Sequence, residues 1–425
     1  MQGSQVAALA AEYKGIHAAQ GGKALHGACG KVLGGGNSIG QRQLQDEVNA
    51  AVQGGCDPVL PRAKGGLTAL HKVAADDGDG MGGAPVAGGL EGQQVPPVQG
   101  VPFGNNGSDR FTVSFVGDIL LDPDFAPMVH AKAKGGVLGK CIDQKIVDHL
   151  KSSDIFLINH EFSSGSRGKP LYNKSWTFQA PESSLSILKD MGADIVSLAN
   201  NHVFDYGEDA FYDTLDNLKK AGIPYIGAGR NIEEAKKGCY FVINGCKVGI
   251  VAASRAEKVR FTPISTADTP GVMGTYDNAD FLNVIKDARA QCDLLFVYVH
   301  WGTENSTALE QAQIKGAREY IDAGADVIVG AHTHCLQGME FYKNKPIIYS
   351  VGNFWFNSKT LDSCVMTFTV DKDMNVQTQI LPLLQKGCET RLLTAENERR
   401  ALFDRVESYE PQGVSISDDG IVTSK

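Results

Sequence analysis

The chain has 425 residues and a formal net charge of −9. That length exceeds one ordinary domain and points to a large α/β unit plus an additional segment. The acidic balance gives no basic field for nucleic acid, so no nucleic-acid partner is expected.

Residues 1–108 hold about half of the 49 glycines, and Tyr13 and Phe103 are their only aromatics. Runs such as Gly34-Gly35-Gly36 and Gly82-Gly83 interrupt any helical or strand period. Such a stretch cannot bury enough apolar surface to offset its ordering entropy. It is expected to be a disordered extension, with a short helix around Asp46 to Val52 as the exception. From Arg110 the pattern changes. Phe111 to Val116 reads as a strand, followed by Gly117-Asp118. Asp154 to Asn159 reads as a second strand and leads to His160-Glu161. Pro181 to Met191 reads as a helix ended by Gly192. Asp194 to Ala199 is a strand leading to Asn200-Asn201-His202. Phe211, Leu215 and Leu218 mark a helix stopped at Gly222, and Tyr225-Ile226 a short strand.

Tyr240 to Ile243, Asn244-Gly245 and Val248 to Ala252 read as a hairpin with a type I′ turn. Phe281 to Ala290 is a helix, and Leu294 to Val299 a strand leading to His300-Trp301-Gly302. Gln311 to Ala323 is a helix ended by Gly324, and Val327 to Val329 a strand before Gly330-Ala331-His332-Thr333-His334. Ile347 to Val351 is a further strand. Val365 to Val370 and Val376 to Leu381 form a later pair, and Ala395 to Ser408 a charged helix. This gives an extension (1–108), an α/β domain (109–395), and a C-terminal helix and tail (396–425). Alternating strands and helices indicate an α/β sheet with helices outside, and the later pairs suggest a second sheet packed on the first.

The nine cysteines are odd in number, scattered and without a Cys-x-x-Cys spacing, which fits free thiols. Cys239 and Cys246, flanking the predicted turn, are the one pair read as able to bridge. No run of about 18 apolar residues occurs, so no membrane-spanning helix is expected. The first residues lack the order of a signal peptide, and the chain as written is expected to be soluble.

Polar side chains gather just past the strand ends, where open α/β sheets bind ligands. Asp118, Glu161, Asn201, His202, Ser254, Arg255, His300, His332 and His334 fall there. Carboxylates, an amide oxygen and imidazoles form a donor set for Mn, Fe or Zn. One carboxylate can bridge two ions, and Glu161 and Asp118 are the two so placed. Singly, each motif has an ordinary reading: Gly117-Asp118 as a turn, Asn201-His202 as a helix cap, His300 as a core histidine. Their ordered recurrence after successive strands favours one shared centre. Trp301, Trp355 and Phe356 read as core, Trp176 and Phe178 as packing or a pocket wall, and Arg167 and Lys169 as a solvated loop face. Asn353 reads as part of a turn that supports a ligand.

Residues 110 to about 357 resemble the CapA family of poly-γ-glutamate (capsule) synthesis proteins, within the calcineurin-like metallophosphoesterase superfamily. The matching pieces are Val116-Gly117-Asp118, Asn159-x-Glu161, Ala199-Asn200-Asn201-His202 with Asp205 and Gly207, His300-Trp301-Gly302-x-Glu304, Gly330-Ala331-His332-Thr333-His334 and Tyr349-Ser350-Val351-Gly352-Asn353-Phe354. The resemblance implies a four-layer αββα sandwich and one or two divalent metal ions. It implies Asp118 and His334 on one metal, Glu161 bridging, and Asn201, His300 and His332 on the other. His202 would protonate the leaving group.

Two departures stand out. Asp-x-His is replaced by Asp118-Ile119-Leu120, which removes a nitrogen ligand. Val203 follows His202 where an acidic partner is usual, leaving Asp205 to orient the imidazole. A metal-bound hydroxide is the expected nucleophile, with Arg255 contacting an anionic substrate and Glu304 orienting His300 or binding substrate. The implied partners are an anionic small molecule or polymer and the membrane subunits of a capsule synthase. The implied setting is the cell envelope, although no anchor is visible. Two alternatives stay open: a metal- or polymer-binding component that hydrolyses nothing, and a γ-glutamyl amide hydrolase.

Overall fold

The computed structural model describes Val98–Gln99 and residues 107–425 apart from 257–260. The expected disorder of the extension and the helix near Asp46 to Val52 lie outside the described residues. Val98–Gln99 pairs in parallel with Cys239 and Tyr240 at a sheet edge.

Two sheets form the body of the protein. In the first, Arg110–Ile119, Ile155–His160, Ile195–Ser197 and Tyr225–Ile226 run parallel in that order. Beyond Arg110–Ile119 this sheet continues antiparallel through Leu361–Asp371 and Val376–Lys386. In the second, Cys246–Ser254, Leu294–His300, Val327–Ala331 and Lys345–Ile348 run parallel, with Cys239–Ile243 and Met339–Tyr342 antiparallel to their neighbours. The predicted turn holds: Asn244 and Gly245 both have positive φ, 52° and 81°, as a type I′ turn requires. Its strand register corrects the cysteine expectation. Cys239 lies opposite Ile250 and Cys246 opposite Ile243, several residues apart along the ladder. Seven cysteines in the described region are free.

The parallel strands are apolar on both faces because each sheet is covered twice. Phe111, Val113, Phe115, Phe241, Phe296, Tyr298 and Val329 fill the space between the sheets. Phe115 sits at its centre, with ring centroids 5.4 Å from Phe296, 6.2 Å from Tyr298 and 5.8 Å from Phe368. Outside the first sheet, Ile146 and Leu150 of Gln144–Ser152 and Phe211, Leu215 and Leu218 of Gly207–Ala221 pack against Phe156, Ile158 and Val196. Outside the second, Phe281 and Ile285 of Asn278–Arg289 and Ala317 and Ile321 of Gln311–Ala323 cover Val297, Val299 and Ile328. The four layers are therefore helix, sheet, sheet and helix, as the resemblance implied.

The last residues behave differently from a tail. Leu402, Phe403 and Val406 of Glu396–Ser408 enter the core between the sheets. Val414–Ile416 and Ile421–Ser424 then pair with each other, and the latter pairs with Val376–Lys386. Val414, Ile416 and Val422 are buried, the inward half of an alternating pattern.

Candidate metal centre

The first sheet delivers four polar side chains at the carboxyl ends of three of its parallel strands. Asp118 lies near the end of Arg110–Ile119, Glu161 follows Ile155–His160, and Asn201 and His202 follow Ile195–Ser197. The second sheet delivers His300, the last residue of Leu294–His300, and His332 and His334, just past Val327–Ala331. Two glycines allow the approach. A Cβ on Gly117 would fall 1.7 Å from the carbonyl oxygen of Gly352, and one on Gly330 would fall 2.0 Å from that of Tyr349. His332 and His334 both have positive φ, 96° and 57°. Two non-glycine residues held in this costly region are a mark of a functional loop.

The donor atoms fall into two groups that share one residue. Glu161, His300 and His332 offer ligand atoms all within 4.8 Å of one another, and so do Asp118, Glu161 and His334. In the first group His300 Nε2 is 3.0 Å from His332 Nδ1, 2.7 Å from Asn201 Oδ1 and 3.6 Å from Glu161 Oε1. In the second, Asp118 Oδ2 is 3.1 Å from His334 Nδ1. Ligands about 2.1 Å from a common cation lie about 3.0–3.4 Å from each other, close to the spacings seen here. Glu161 Oε1 and Asp118 Oδ2 are buried without a hydrogen bond. A proton on His300 Nε2 could serve one of its neighbours, whereas a cation serves all of them. The residues present fit a divalent pair.

The electrostatics agree. Burial, then the adjacent Asp118 charge, pushes the Glu161 carboxyl well above its ordinary range. Burial also opposes ionisation of Asp118, but His334 and the Asn159 amide hold it below the usual carboxylate value. Burial, then neighbouring His334, lowers His332 to about 3. Burial and the surrounding histidines likewise lower His300 far below its ordinary value. For His334, burial is outweighed by Asp118, and its affinity for a proton is raised. The pocket thus holds two neutral imidazoles and one carboxyl that resists ionising without a counter-charge.

Surrounding amides fix these groups. Asn159 Nδ2 donates to Asp118 Oδ1 at 2.7 Å and to Glu161 Oε2 at 3.1 Å. Asn200 Nδ2 donates to Asn159 Oδ1 at 3.1 Å and to the carbonyl of His160 at 2.9 Å. His334 Nδ1, the atom that faces Asp118 Oδ2, also lies 2.8 Å from Asn353 Oδ1. His202 Nδ1 is 2.7 Å from Asp205 Oδ2, while its Nε2 faces Glu161 Oε1 at 4.0 Å. The carboxylate beside the His202 imidazole is therefore Asp205. Phe178 packs on His202, with centroids 4.4 Å apart. Lys174 escaped the sequence reading: its side chain is 3% exposed and its ammonium is 2.7 Å from Asp205 Oδ1.

Arg255 and Glu304, expected to contact substrate, lie outside the two donor groups. The Arg255 backbone N–H donates to the carbonyl of His300 at 2.8 Å, and its guanidinium lies 4.6 Å from the Tyr276 ring centroid and 3.9 Å from Glu310 Oε2. Glu304 is exposed. It makes no hydrogen bond to His300, whose side chain faces Asn201, Asn159 and His332. Its charge is nevertheless felt at Glu161 and His334, which puts it at the rim. Leu120, in place of the missing histidine, is buried in the core beneath the outer helices.

Comparison with known proteins follows the same lines. The profile of the bacterial capsule synthesis protein PGA_cap family matches residues 112–358. The capsule biosynthesis protein CapA of Bacillus anthracis is 30% identical over 311 residues, covering 70% of this chain and 74% of its own length. The PGA biosynthesis protein CapA of Bacillus subtilis (strain 168) is 30% identical over 280 residues, covering 65% and 72%. A hypothetical protein from Thermus thermophilus, of known structure, superposes with a TM-score of 0.41 at 16% identity, over 65% of this chain and all of its own. With the profile matched over more than half its length, the chain belongs to the PGA_cap family of bacterial capsule synthesis proteins.

Proposed function

We propose that this protein is a metal-dependent hydrolase that acts on an anionic ester during poly-γ-glutamate capsule synthesis, alongside the synthase subunits. The observation that carries this reading is the pair of ligand groups sharing Glu161. Asp118, Glu161 and His334 would hold one cation, and Glu161, Asn201, His300 and His332 the other. Their mixed nitrogen and oxygen character suits Mn, Fe or Zn. When bound, such ions supply Lewis acidity that lowers the pKa of water and offsets charge developing on the substrate.

The chain's own residues do the rest. Asn159 engages Asp118 Oδ1 and Glu161 Oε2, which leaves Asp118 Oδ2 and Glu161 Oε1 for the cations. Asp205 would accept a hydrogen bond from Nδ1–H of a His202 imidazolium, which gives the proton on Nε2 to the departing oxygen and is left as the neutral ring with Nδ1–H still on Asp205. Phe178, its ring tilted 40° to that imidazole, packs against it. Buried surroundings strengthen each of these interactions.

Leu120 favours a second reading, in which the Asp118 group with its three protein ligands is too weak to fill. The protein would then bind one cation or an anionic polymer and hydrolyse nothing. Metal analysis combined with phosphomonoester, phosphodiester and γ-glutamyl amide assays separates the two. The enzyme reading expects two ions per chain and turnover that is lost in both Asp118→Ala and His202→Ala. Turnover surviving both substitutions would refute it, and one ion with no turnover on any substrate would favour the second reading.

A further inference from the structure

We infer that Lys174 is a positioning residue that locks the Asn201–Asp205 loop, so that its ammonium strengthens cation binding at the Asn201 side by geometry although its charge opposes it. The inference rests on the two-cation reading above.

The Lys174 side chain reaches the centre from the loop between Ser163–Ser164 and Gln179–Ala180. Its ammonium meets the Asn201–Asp205 loop there. It pairs with Asp205 Oδ1 at 2.7 Å and donates to the backbone carbonyl of Asn201. The same carbonyl accepts from Thr262 Oγ1 at 2.8 Å. Two distant chain segments therefore pin the backbone of one ligand, while that ligand's Oδ1 faces His300 Nε2 at 2.7 Å. Asp205 is held by Lys174 on one oxygen and by His202 Nδ1 and the Phe178 amide on the other.

Through space, a buried ammonium disfavours nearby cations. Burying an ammonium is costly unless it is paired and used. Charge and geometry thus predict opposite signs when Lys174 is removed, which makes the inference testable. Leu171 and Lys169 donate backbone N–H groups to Asp205 and Tyr206 at 2.8 and 3.1 Å, so the loop stays docked without the ammonium.

The experiment titrates the metal-stripped full chain with MnCl2, following heat and the paramagnetic resonance of Mn2+. Wild type is expected to take two ions and to show a spin-coupled pair. Lys174→Met should keep the ion at Asp118 and His334 but bind the second about 10–100-fold more weakly, the range for ligand-supporting residues, and lose the coupled signal. Lys174→Gln, which retains an N–H donor without the charge, should lose less. Equal or tighter binding in Lys174→Met overturns the inference and leaves the two-cation reading standing. A wild-type chain that takes up no manganese overturns both. Where Lys174→Met shows no cooperative melt, Lys174→Gln carries the same test: weaker second-ion binding supports the inference, and equal or tighter binding overturns it.

Discussion

Replacing Glu161 with glutamine should stabilise the metal-free protein and abolish its gain in stability from manganese. Glu161 is fully buried, and burial with Asp118 raises its folded pKa well above the ordinary 4.5. Between those two values the folded state binds more protons at this site than the unfolded state. Stability therefore falls as pH rises, by about 1.4 kcal/mol per pH unit. Glutamine has the same shape and nothing to ionise, so the slope should vanish. His300 and His332, with lowered values, stop contributing a slope above their ordinary 6.5. His334, with a raised value, loses stability above 6.5 in both proteins and largely cancels in the difference. The window from pH 7 upward, as far as the folded value of Glu161, thus isolates it. Calorimetry of chelator-treated wild type and Glu161→Gln across pH 6 to 9 reads the effect. The gap in melting temperature should widen by about 2 °C per pH unit. Loading wild type with manganese should flatten its profile, because a cation replaces the proton. Parallel profiles for the two metal-free proteins would refute the account of a buried carboxyl waiting for a counter-charge.

Three further outcomes are expected. His202→Ala should slow an alkyl phosphodiester by about 10²–10⁴-fold and a p-nitrophenyl ester far less, since that leaving group departs without a proton; equal losses would argue against a proton-donor role. Asn159→Asp turns a donor shared by two carboxylates into a third acid. It should destabilise the metal-free protein by about 3–5 kcal/mol in chemical denaturation, with partial recovery in manganese, and an unchanged midpoint would contradict the amide's role. Gly330→Ala places a Cβ 2.0 Å from the Tyr349 carbonyl oxygen. It should cost about 1–3 kcal/mol or more, and a neutral result would mean that the two strands part freely.

Much of the centre was legible because its signal is local. A short apolar strand followed at once by a metal-competent side chain can be read in a few residues, as at Val327 to His334. Helix ends with glycine were equally plain: Gln311–Ala323 ends at Gly324 as expected. Ala126–Lys134 was not read, because only Pro127 and Ala131 of its nine residues are buried and no apolar stripe marks it. Gln144–Ser152 carried a readable pattern in Ile146, Val147 and Leu150 behind an Asp143 cap, but so short a stripe competes poorly with the flanking loop residues. Lys174 gave no signal at all. Its burial depends on Asn201 and Asp205, which arrive 27 and 31 residues later in an unrelated element. The surroundings of Arg255 were hidden for a similar reason: Tyr276 and Glu310 meet its guanidinium from remote positions.

Each proposed cation draws ligands from both sheets: Asp118 and Glu161 with His334 on one side, Glu161 and Asn201 with His300 and His332 on the other. Among the described residues the two sheets share no strand pairing, and packed apolar side chains fill the seam between them. A bound pair would act as rivets joining two leaves that are otherwise glued by grease. Stripping the ions should then raise amide exchange first along the rim where the leaves meet, at the tips of Ile155–His160 and Leu294–His300, while the far ends of the same strands stay protected.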